Sequence, residues 1–146
     1  MVKFSLTVIA PAIVLAFLVG DEPQPPRTLV PCTLNNLHDG DTLNADVQFP
    51  WGVVLDDQSV RCLGYDAWEI SRNRRTVRVT AAEIEKGKAA QVDLQGLLNG
   101  ADAVYLSPGD EDRDPYGRLL AYLVVWDEGE LIEVADWMKQ RGHTRN

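Results

Sequence analysis

Polar and apolar residues alternate along residues 42–49, and the preceding stretch 28–37 is rich in β-formers, so the folded part opens on two strands. Two shorter strands, 53–55 and 59–63, flank Asp56-Asp57, a dipeptide suited to a tight turn. The period then changes. Thr80-Ala81-Ala82-Glu83 has the form of a capping box and starts a helix that runs to Asn99-Gly100, where glycine can take the left-handed closing conformation. Its apolar residues Ile84, Val92, Leu94, Leu97 and Leu98 are only loosely periodic, and Gly87 and Gly96 weaken it. Residues 103–107 and 119–126 read as strands on either side of an acidic loop, 109–114. A last helix is predicted over 131–141, with Leu131, Val134, Ala135 and Met138 on one face.

Short strands joined by tight turns, with one helix between them and one after, predict an α+β domain. The expected form is a small OB-like five-stranded β-barrel with packed helices, because closure leaves no exposed edge. An N-terminal hydrophobic segment precedes it. Residues 4–20 are uncharged and mostly apolar, interrupted only by Ser5, Thr7 and Pro11, so residues 1–20 read as a signal peptide or a membrane anchor. No small-x-small site ends the run, while Lys3 before it and Asp21 and Glu22 after it fit an amino terminus left inside. Residues 21–26 (Asp-Glu-Pro-Gln-Pro-Pro) form a stiff linker, and the domain occupies 27–146. The protein is thus expected to be exported, either secreted or periplasmic, or tethered to the membrane through residues 4–20.

A chain of 146 residues has room for one compact domain and one site. Its 14 basic and 22 acidic side chains give a net charge of -8, so the whole molecule repels a polyanion and a nucleic-acid role requires a local basic patch. Two cysteines, Cys32 and Cys62, and two histidines, His38 and His143, exclude a disulfide framework, a cysteine-rich zinc module and a histidine-rich metal site. Both thiols are expected to be free, with Cys62 acting as a small buried hydrophobe. Carboxylates and arginines remain in supply, and they favour hard, oxygen-binding cations and phosphate chemistry.

Three clusters can carry that chemistry. His38-Asp39-Gly40-Asp41-Thr42 holds an Asp-Gly hairpin signal, and on its own is a turn. Arg61 and the D-x-x-E element Asp66-Ala67-Trp68-Glu69 lie where a strand gives way to a loop. Tyr116-Gly117-Arg118 precedes a later strand. In this order the three clusters resemble the staphylococcal nuclease-like, or thermonuclease, family over residues 27–142, with Trp68 standing where the family pattern has proline.

The resemblance implies a Ca²⁺-dependent nuclease, a hydrolase of phosphodiester bonds in DNA or RNA whose products carry a 3′-phosphate. Asp41 and Asp66 would supply carboxylate oxygens to Ca²⁺ and Ala67 its backbone carbonyl. Arg61 and Arg118 would grip the phosphate and stabilise its developing charge. Glu69 would act on the attacking water as general base or by positioning it, Asp39 would support the turn, and Tyr116 would lie near the nucleotide. Beyond Glu69, Arg72, Arg74 and Arg75 extend a stretch, residues 61–78, in which five arginines outweigh Asp66 and Glu69 by three charges and form a track for a nucleic-acid backbone. The alternative is a non-catalytic OB-like module that holds single strands, although a pure binder has no need of carboxylates facing a phosphate. A monomer is expected in either case.

Overall fold

A computed structural model of the chain describes residues 27–72 and 78–145. The leader and linker expected in residues 1–26, and Arg74 and Arg75, lie outside the described residues. The elements are β1 (Val30–Leu37), β2 (Thr42–Gln48), β3 (Val54–Cys62), α1 (Ala81–Gly100), β4 (Ala103–Arg113), β5 (Leu119–Asp127), β6 (Glu130–Glu133) and α2 (Val134–Gln140). The sheet order is β3-β2-β1-β4-β5-β6, and β3 also pairs with β5. That extra pairing closes β1 to β5 into a five-stranded barrel, with β6 added along β5, so the α+β class and the closed barrel are as expected. The closing pair is parallel, with Arg61 opposite Leu120, whereas every other pairing is antiparallel.

Strand register assigns opposite duties to the two ends of the β1-β2-β3 run. Leu37 faces Leu43 and Thr42 faces Arg61 at one end, beside the turn made by residues 38–41. Cys32 faces Val47 and Gln48 faces Val54 at the other, where the chain enters from Arg27 and β2 turns into β3. Between the strands and the helices lie Leu43, Val60, Cys62, Leu94, Leu123, Val125, Val134 and Met138, all nearly inaccessible. Both cysteines are free, and burial pushes each thiol up to about 12.

Four local expectations are corrected. Asp56-Asp57 is not a turn, because β3 is continuous and these two residues bulge opposite Asp46, where the pairing shifts between Ala45 and Val47. Aspartate tolerates the left-handed φ of 45° at Asp57, and the Asp57 N–H donates to Asp46 Oδ1 at 2.8 Å, which accounts for a bulge in place of a reversal. The acidic residues 109–112 are not a free loop but an irregular part of β4, opposite Leu120 alone. The last helix is shorter than expected, since Leu131 belongs to β6 and pairs with Trp126, while Val134, Ala135 and Met138 face the core.

The fourth correction concerns α1. Its capping box is present, with Glu83 N–H donating to Thr80 Oγ1 at 3.2 Å and Thr80 N–H to Glu83 Oε2 at 2.7 Å. It ends without a left-handed glycine, closing instead on Ala101 at φ -68°. Its buried stripe is Gly87, Ala90, Leu94 and Leu98, while Val92 lies in solvent. Two of those four residues are too small to register as hydrophobic, which made the period look loose.

Candidate functional site

The residues 38–41 turn is held from several directions. His38 N–H donates to Thr42 O at 2.9 Å, and Asp41 N–H donates to Asp39 Oδ1 at 3.0 Å. Tyr65 Oη donates to Gly40 O at 2.7 Å. A Cβ on residue 40 would stand 2.6 Å from the Cβ of Ala67, so only glycine lets the turn lie against the Asp66-Ala67 segment. This contact seals Asp41, which is 3% exposed.

Sealed in this way, the Asp41 carboxylate keeps partners at both oxygens. Oδ2 accepts from Ala67 N–H at 2.7 Å, while Oδ1 accepts from Arg61 Nη1 and from Thr42 Oγ1 at 3.3 Å. Burial pushes its pKa up to about 6, against the pull of the Ala67 amide and the Arg61 guanidinium. The second nitrogen of Arg61 donates to Asp66 Oδ1 at 2.6 Å. At Arg61 desolvation opposes the charge, yet the two carboxylates outweigh it and its pKa rises. The guanidinium therefore stands between Asp41 and Asp66 as a charge-assisted bridge.

Arg118 enters from the other side of Thr42. It precedes β5, donates from Nε to Asp114 Oδ2 at 2.6 Å and from Nη1 to Thr42 Oγ1 at 3.5 Å, and lies 5.6 Å from the centre of the Tyr116 ring. Burial opposes the Asp114 charge, but Arg118 and the amides of Tyr116 and Arg118 hold its carboxyl below the usual carboxylate range. Tyr116 itself is 68% exposed beside this arginine. A chain of contacts thus runs Arg118, Thr42, Asp41, Arg61, Asp66, through residues far apart in sequence.

Glu69 is carried at the margin of this chain, half-buried. Its backbone lies on α1, where a Cβ at Gly87 would meet Glu69 O at 2.4 Å and Trp68 O at 2.7 Å. The neighbouring Trp68 packs under Lys86, whose ammonium is 4.6 Å from the ring centre. Arg145 reaches the same acids, with Nη1 3.8 Å from Asp66 Oδ2 and 3.9 Å from Glu69 Oε1, and its N–H donates to Asp66 O at 2.8 Å. Sequence reasoning missed Arg145, Asp114, Tyr65 and the close approach at Gly87. Asp114, four residues before Arg118, is the one with a readable signal, since that spacing suits an arginine clasp. The expected track beyond Glu69 is described only at Arg72 and Arg78, both exposed, and Arg72 Nε donates to Val79 O at 2.7 Å.

Asp41 and Asp66 carry hard carboxylate oxygens of the kind a cation such as Ca²⁺ takes, and in this structure the Arg61 guanidinium bridges them. Among the described residues, no three His, Cys, Asp or Glu side chains come together as a ready metal site. Two carboxylates plus backbone and water oxygens are therefore the most that Asp41, Asp66 and Ala67 can provide. Set against protein-family models and curated proteins, the chain matches none.

Proposed function

We propose that the protein is a phosphodiesterase acting on nucleic acid, a nuclease of the thermonuclease type built on an OB-like barrel, exported or held at the membrane by residues 4–20. The observation that carries this reading is the contact chain from Arg118 through Thr42 and Asp41 to Arg61 and Asp66, which brings two arginines and two acids to one end of the barrel. Arginine forks match phosphate oxygens, and acids beside them suit hydrolysis better than simple binding.

In this reading Arg61 and Arg118 exchange their present carboxylate partners for the oxygens of a phosphodiester and hold the charge that grows as water attacks. Glu69 is open enough to reach that water. It accepts the water's proton, or orients the water while solvent takes that proton, as the new O–P bond forms. The bond to the 5′-oxygen breaks, that oxygen takes a proton from solvent, and the products are a 3′-phosphate and a 5′-hydroxyl, as the family resemblance implies. Tyr116 offers an exposed ring on which a base or sugar can rest. Asp41 and Asp66, with the Ala67 carbonyl, are the residues that would hold Ca²⁺, whose bound charge would offset that of the phosphate. Asp39 keeps the Asp41 turn in shape.

The test is incubation of the full chain, in detergent, with single-stranded DNA and RNA, in Ca²⁺ and in chelator. Calcium-dependent cleavage is expected. Retention of the strand without cleavage moves the protein to the binding-module reading, and neither outcome on any substrate removes nucleic acid altogether.

A further inference from the structure

The β2–β3 turn is built in a way that stability alone does not select. Val53 N–H closes on Pro50 O at 3.5 Å around Trp51 at φ 63° and Gly52 at φ 74°. Positive φ at both central positions is the turn that Asn-Gly prefers, and a bulky aromatic in the left-handed region is strained. Packing does not repay that strain, because Trp51 is 97% exposed. Phe49, Val53, Val54 and Leu55 are exposed around it, and no charged side chain occurs between Asp46 and Asp56. Such a patch marks a contact surface.

We propose that residues 49–55 form a lipid-docking tip, with Trp51 and Phe49 seated at the headgroup–acyl boundary of a membrane. The proposal rests on the reading of residues 4–20 as an anchor and is independent of the chemistry assigned to the site. The chain enters the barrel at Arg27, at the same end as the tip, as the pairing of Cys32 with Val47 requires. The linker 21–26 spans at most about 20 Å when extended, so an anchored chain carries this end of the barrel against the bilayer. The occupant is a lipid surface because the turn itself carries tryptophan and phenylalanine and no charge, which suits that boundary, while Asp112, which lines the hollow beside Phe49, stays at the rim among the headgroups. A chain of net charge -8 gains nothing from anionic headgroups, so the contact is apolar and insensitive to salt. Seven residues of β2 separate the tip from Asp41, roughly 20 Å, which turns the candidate site away from the membrane and toward a polymeric substrate.

The test uses full-length wild type and Trp51→Asn with phosphatidylcholine vesicles whose acyl chains carry bromine, a quencher of tryptophan emission. Residues 1–26 contain no tryptophan, so the anchor is silent. Both proteins should float with the vesicles, wild-type emission should be quenched at low and high salt, and most of that quenching should vanish in Trp51→Asn. The variant should melt no lower than wild type, since asparagine suits the turn. Flotation of both with equal quenching overturns the docking and leaves the anchor standing, and failure of both to float overturns both. Self-association that Trp51→Asn abolishes, without lipid quenching, overturns it in favour of a second copy. No readout involves cleavage, so the nuclease reading stands or falls separately.

Discussion

Gly87 of α1 lies directly against the Glu69 carbonyl, where a side chain would stand 2.4 Å from the oxygen. The helix thereby positions the loop that carries Glu69, and a glycine unfavourable for helix formation is kept by the approach of backbone to backbone. Gly96 has nothing within 4 Å of its added Cβ. Gly87→Ala should therefore destabilise the protein by about 1–3 kcal/mol and lower activity, while Gly96→Ala should stabilise it by about 0.5–1 kcal/mol with activity unchanged. Urea melts of the pair decide the matter: equal effects would mean that the helix does not press on the loop.

The two groups assigned to the reacting phosphate and water should be separable from stability. Arg118→Ala and Glu69→Ala are each expected to lower turnover by about 10² or more, as loss of a charge-stabilising donor or a proton-handling group does. Asp114→Asn should cost less, because it loosens the clasp on Arg118 without removing the guanidinium. Wild-type turnover in either alanine variant, measured on a soluble oligonucleotide, would remove that residue from the reaction and leave the assignment of the site to be redrawn.

Calcium should raise the melting temperature of the wild type, since a ligand bound only by the folded state stabilises it. The rise should disappear in Asp66→Asn, which keeps an oxygen for Arg61 but gives up one of the two carboxylate charges. Thermal melts with calcium and with chelator measure this directly. An unchanged shift in the variant removes Asp66 from the cation's ligands.

Much of the barrel was legible because its signals are local. Thr80 and Glu83 announce their capping box three residues apart, and Asp39-Gly40 announces a hairpin whose strands then pair. What escaped notice depends on distance. Asp56-Asp57 reads as a turn from its own chemistry, and only the run of β2 alongside makes it a bulge around Asp46. Leu131 continues a helical pattern yet is drawn into β6 by the open edge of β5. Within the site, the turn and the D-x-x-E element were readable as motifs, whereas the contact of Gly40 with Ala67 and the return of Arg145 to Asp66 come from packing that no local spacing encodes.

Asp41 gives the sharpest dependence on pH. Its carboxyl has an ordinary pKa of 3.8 and is pushed up to about 6 in the fold, chiefly by burial, so the folded state binds the proton more tightly than the unfolded chain. The stability this group contributes is then complete below pH 3.8 and is lost as pH rises through about 6. Asp41→Asn keeps an oxygen for the Ala67 amide and does not titrate. Wild type should therefore gain stability relative to Asp41→Asn as pH falls from 7 to 4, by up to about 3 kcal/mol. Paired urea titrations across that range cancel the other acids, which both proteins share. A gain in the opposite direction would show that the Arg61 and Ala67 contacts outweigh burial, with Asp41 held ionised as the anchor of the Arg61 bridge.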